Sequence, residues 1–138
     1  MEFSFIENSQ THFAEWQKLE KWINQTIESE GKITGYLSFV FMSDEELLGY
    51  NKQFLNHDYF TDVITFDNSN YPKISGDILI SIDRIQDNAK ILEIKYLEEF
   101  LRVTIHGVLH LLGYKDKKEE DIAQMRSKEQ FYLNQYEF

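Results

Sequence analysis

At 138 residues, with 42% apolar and 15% aromatic side chains, the chain has the length and apolar content of one domain around one core, taken here as a single domain over residues 1–138. Fourteen basic against 24 acidic side chains give a net charge of −10, which excludes binding to nucleic acid by wholesale neutralisation of phosphates. The absence of cysteine excludes a disulfide framework and any thiolate metal site, leaving histidine and carboxylate as the available ligands.

Residues 2–7 alternate apolar and polar side chains and predict a strand. Phe13, Trp16, Leu19, Ile23 and Ile27 recur at helical spacing across 11–30, a helix that Gly31 closes. Tyr36–Met42, rich in aromatic and branched residues, reads as the next strand. Ser43 followed three residues later by Glu46 forms a capping box ahead of a helix running to about Leu55. Asp62–Phe66 and Ile74–Ile82 are strands joined by the turn-rich segment 67–72, which holds the only proline, Pro72, and they are expected to pair as a hairpin. A helix over 81–92 precedes a second over 95–112 whose Leu97, Leu101, Ile105, Val108, Leu109 and Leu112 cover much of its circumference, marking it as the central buried helix. A last, acidic-led helix over 118–136 is expected to cap the core with Ile122, Met125 and Phe131. The sum is an α+β fold: a small sandwich, a four-stranded mixed sheet packed with about five helices around a central helix.

That helix carries the chemistry. His106 and His110 are four residues apart, so they project from one face and can both offer a ring nitrogen to a single Zn²⁺ at roughly 2.0 to 2.1 Å. Gly113 then ends the helix in a left-handed conformation and lets the chain bring Asp116 back as a third ligand. Three protein ligands leave one tetrahedral position for water, the arrangement of metal-assisted hydrolysis. His12 and His57 lie far off in sequence, and His57 is the alternative third ligand. Lys115, Lys117 and Lys118 add positive charge beside the site if they face it, and otherwise form a solvated run. Gly107 stands where zinc proteases of the His-Glu-x-x-His type carry their general-base glutamate, which argues against peptide hydrolysis; a glycine there is also expected to let substrate approach closely.

Three segments resemble the YbeY family of metalloendoribonucleases. The family's His-Gly-x-Leu-His-Leu-x-Gly-Tyr-Asp-His motif is matched from His106 through Tyr114, Thr61-Asp62-Val63-Ile64-Thr65-Phe66 resembles its Pro-Thr-Asp-Val-Leu-Ser-Phe, and Gly76-Asp77-Ile78-Leu79-Ile80-Ser81 is similar to its Gly-Asp-Ile strand. The resemblance implies a small zincin-like sandwich around a central metal-bearing helix, and a zinc-dependent, single-strand-specific endoribonuclease that matures the 3′ end of small-subunit rRNA and serves ribosome quality control, with one Zn²⁺ per chain. The family's third histidine falls at Asp116, whose negative charge weakens Lewis acidity. Its arginine and lysine fall at Leu55 and His57, and its proline at Phe60, so a bidentate phosphate clamp is missing and His57 becomes the candidate phosphate or base residue.

The rival is a noncatalytic zinc-stabilised protein that docks its acidic surface on the ribosomal small subunit or an assembly protein. It predicts a closed fourth coordination position, where the enzyme predicts an open one. The N-terminus Met1–Glu7 lacks a basic region followed by an apolar run, and no window approaches the roughly 18 apolar residues of a membrane span. The expectation is a cytoplasmic protein without membrane contact.

Overall fold

A computed structural model describes residues 1–6 and 14–138. Four strands form one sheet: β1 (Glu2–Phe5), β2 (Ile33–Met42), β3 (Val63–Asp67) and β4 (Lys73–Ser81). Their order is β1-β2-β4-β3, with β1, β2 and β4 parallel and β3 antiparallel to β4. The helices are α1 (Trp16–Ser29), α2 (Asp44–Leu55), α3 (Ile82–Leu92), α4 (Tyr96–Leu111) and α5 (Glu119–Leu133). The α+β architecture with a four-stranded mixed sheet is as expected, and the hairpin is β3–β4, with Val63 opposite Ile80 and Asp67 opposite Gly76.

Alternation along the strands divides the apolar residues between two faces. Leu37, Phe39 and Phe41 of β2 and Ile74, Ile78 and Ile80 of β4 point into the main core, which α1, α4 and the end of α5 complete. Phe3 stacks on Phe39 and Phe5 on Phe41, each at 5.2 Å, and Phe41 stacks on Phe100 of α4 at 5.5 Å, tying the sheet to the central helix. The opposite face carries a smaller cluster of Met42, Leu47, Ile64 and Leu79 under α2.

Local signals account for most boundaries. Ser43 and Glu46 cap α2 reciprocally, with Glu46 N donating to Ser43 Oγ at 3.2 Å and Ser43 N to Glu46 Oε1 at 3.1 Å. Gly31, at φ +75°, closes α1. The strand predicted from Tyr36 begins earlier, at Ile33, because its pairing with β4 shifts register between Thr34 and Leu37 and breaks the alternation there. Gly35 sits in that irregularity, where a Cβ would lie 2.2 Å from Ser75 Oγ and 2.8 Å from the Ile74 carbonyl. The helix predicted over 11–30 starts at Trp16; Phe13 and His12 lie outside the described residues.

The last helix needs a correction. It ends at Leu133, and Ile122 and Phe131 are exposed while Met125, Glu129, Tyr132 and Leu133 are buried. The buried set runs at intervals of four, three and one, a true helical stripe, and Phe131 falls off it. A carboxylate occupies the second place in that stripe, which leads to the site.

Candidate metal centre

α4 ends in the turn that the site requires. Gly113, at φ +104°, donates its N–H to the His110 carbonyl and Tyr114 donates to the Leu109 carbonyl, each at 3.0 Å, the paired bonds of a Schellman turn. Tyr114 packs on the core as it leaves, and two residues later Asp116 returns to the histidine face. His106, His110 and Asp116 form a cluster able to hold a metal ion. His106 Nε2 lies 2.9 Å from His110 Nε2, and Asp116 Oδ2 is 3.2 Å from each. Donors arranged tetrahedrally around Zn²⁺ stand roughly 3.3 Å apart, so the triangle is close to coordination size.

The protons decide what the triangle wants. His106 Nδ1 lies 2.6 Å from Glu129 Oε2, and His110 Nδ1 lies 3.0 Å from the Tyr114 carbonyl. Both oxygens only accept, so each Nδ1 carries the ring's hydrogen. Both Nε2 atoms then present lone pairs, to each other and to a carboxylate oxygen. Three electron-rich atoms at such distances repel unless a cation sits among them, and the oriented imidazoles are the arrangement of a metal site with outer-shell partners. Burial, followed by the neighbouring His106, lowers the His110 pKa below its ordinary 6.5 despite Asp116, which favours the neutral ring a ligand needs. Side-chain exposure rises from 14% at His106 through 24% at His110 to 38% at Asp116, so the site opens toward solvent on the Asp116 side.

Glu129 and its supports escaped the sequence reading. Glu129 is 2% exposed and accepts from Arg126 at 3.0 Å and Arg102 at 3.3 Å. Burial alone would raise its pKa, but the His106 hydrogen bond and the two arginines outweigh it and hold the group below the ordinary carboxylate value. Arg102 in turn grips the fully buried Glu99 with two bonds of 2.6 Å and reaches Asp62, at the head of β3, at 3.4 Å. The signal was present: Glu99, Arg102, His106 and His110 recur every three or four residues, a polar stripe along a helix otherwise apolar.

Other candidates fall elsewhere. His57 is exposed between α2 and β3, outside the cluster, stacked on Tyr59 with Nδ1 2.9 Å from the tyrosine hydroxyl. Lys115, Lys117 and Lys118 are exposed, and Lys115 lines a separate polar cavity of about 450 Å³ with Glu30, Lys32 and Tyr114. Gly107 is buried against the sheet, where a Cβ would lie 2.7 Å from Ile78 Cγ2 and 3.3 Å from Val63 Cγ2. Its small size serves helix–sheet contact, not substrate approach, and no glutamate fits there.

Comparison with known proteins settles the kinship. The family model described as Endoribonuclease YbeY matches residues 5–137. The chain belongs to the YbeY family. Among its relatives, the endoribonuclease YbeY of Cytophaga hutchinsonii is 44% identical over 137 residues, covering 99% of this chain and 96% of that one. The one from Porphyromonas gingivalis is 47% identical over 110 residues, 80% of this chain and 73% of the relative. The solution structure of TM1509 from Thermotoga maritima shares the fold, with a TM-score of 0.65 at 24% identity over 99% of this chain and 89% of the other. Membership of the YbeY family bears out the resemblance carried by the histidine, Thr-Asp-Val and Gly-Asp-Ile segments.

Proposed function

We propose that the chain is a zinc-dependent endoribonuclease that cuts unpaired RNA, with His106, His110 and Asp116 as the metal ligands in a single domain spanning 1–138. The convergence of three lone-pair donors on one point carries this reading, and the endoribonuclease relatives supply the substrate class. His106, His110 and Asp116 would hold a Zn²⁺ whose Lewis acidity would polarise a phosphoryl oxygen or lower the pKa of water. The chain's own part is orientation: Glu129 and the Tyr114 carbonyl fix the rings, and α4 packed on the sheet fixes their separation. The particular RNA proposed is the 3′ end of small-subunit rRNA, in the cytoplasm and in ribosome quality control, on the strength of the family alone.

His57 is assigned the phosphate contact that the family's lysine implies at this position. Its bond to Tyr59 leaves Nε2–H free to donate when the tyrosine hydroxyl donates to Nδ1. His57→Ala should raise KM for a single-stranded RNA several-fold at unchanged kcat; an unchanged KM refutes the assignment.

The central test compares cleavage of a single-stranded RNA by zinc-loaded wild type and His110→Ala. Loss of a ligand should reduce zinc occupancy sharply and cut cleavage at least a hundredfold. Equal cleavage by both proteins removes the mechanism. The noncatalytic rival calls for a closed fourth position, and the exposure of Asp116 favours the open one.

A further inference from the structure

The two orienting partners come from different parts of the chain. Tyr114 follows the Schellman turn of α4, and Glu129 sits on α5. One side chain holds both segments. Glu30, at the C-terminal end of α1 and 14% exposed, accepts the Tyr114 hydroxyl on Oε1 at 2.5 Å. Its Oε2 takes the Tyr132 hydroxyl and, at 3.2 Å, the Lys128 ammonium. Lys128 and Tyr132 bracket Glu129 on one turn of α5, while the Tyr114 backbone carbonyl is the acceptor for His110 Nδ1.

We infer that Glu30, which touches none of the ligands, is a positioning residue for the metal centre: it locks the Tyr114 loop and the Glu129 turn in the one arrangement that aims both Nε2 atoms at a common point. This rests on the metal reading of the site. Two features of the geometry support it, and a third contact serves as a control. The carboxylate is anchored by three donors from two segments, so neither can shift alone. Gly31, in the left-handed region beside it, ends α1 and fixes where the carboxylate emerges. The Trp22 indole N–H donates to the Tyr132 carbonyl at 2.8 Å, a second α1 contact to the same α5 turn that does not involve the Tyr114 loop. That contact provides a control, because its loss loosens the packing of α1 on α5 without touching Glu30.

The experiment measures the zinc dissociation constant by chelator competition and the melting temperature of metal-free protein for wild type, Glu30→Ala, Tyr114→Phe and Trp22→Phe. Glu30→Ala should weaken zinc binding about tenfold, the lower end of the range for partners behind the ligands. Tyr114→Phe, which keeps the carbonyl facing His110, should weaken it several-fold. Trp22→Phe should lower the melting temperature yet bind zinc within twofold of wild type. Should Glu30→Ala fail to fold, Tyr114→Phe against Trp22→Phe carries the comparison. Wild-type affinity in Tyr114→Phe and in any folded Glu30→Ala, or an equal loss in Trp22→Phe, overturns the inference while leaving the metal site intact. A wild type that binds no zinc overturns the metal reading and this inference with it.

Discussion

Asp116, the proposed third ligand, is a carboxylate where the resemblance implies a third imidazole. An anionic ligand donates more charge to the ion and weakens its pull on water. Replacing it with the neutral ligand, Asp116→His, should move the alkaline-going rise of the pH–rate profile to lower pH, read from initial cleavage rates across pH 5 to 9; a profile that stays in place argues against Asp116 as a ligand. A second residue-level consequence concerns Glu30. Burial works to raise its pKa, but the hydrogen bonds from Tyr114, Tyr132 and Lys128 prevail and hold it below its ordinary 4.5. A carboxylate depressed on folding binds fewer protons in the native state than in the unfolded one. Its stabilisation is therefore complete above pH 4.5 and lost as the pH falls through its lower native value. Urea midpoints should show wild type losing its advantage over Glu30→Gln as pH drops from 6 into that range. A constant difference across it would place Glu30's contribution outside ionisation.

At the scale of elements, what could be read in the sequence was what short-range chemistry dictates. The capping box at Ser43, the reversal at Gly31, the β3–β4 hairpin and the ligand spacing on α4 each depend on residues within a few positions of one another. The order β1-β2-β4-β3 and the bonds from half-buried Arg102 to Asp62 and Glu129 do not, since they join segments far apart in the chain. α5 shows the limit well: its exposed Phe131 mimics a core residue, while its buried Glu129 mimics a surface one until Arg102 and His106 are seen beside it. Gly107 serves packing where substrate approach was expected. Because a Cβ would press on Ile78 and Val63, Gly107→Ala forces α4 off the sheet and should cost about 1 to 3 kcal/mol. Chemical denaturation measures this, and an unchanged midpoint would mean the helix shifts freely.

For the molecule as a whole, the division of labour is between a local set of ligands and distant supports. All three donors lie within residues 106–116, whereas Glu129, which orients His106, comes from α5, and Glu30, which holds Tyr114, comes from α1. On the proposed metal reading, the ligand set is local while its aim depends on the tertiary fold. On that reading a nascent or unfolded chain would already own every ligating atom, so ions bound to that state would subtract from the net stabilisation the holoprotein gains. What the remaining residues contribute is rigidity at one point in space, so that the protein without its proposed metal would keep a scaffold standing ready around mutually repelling donors.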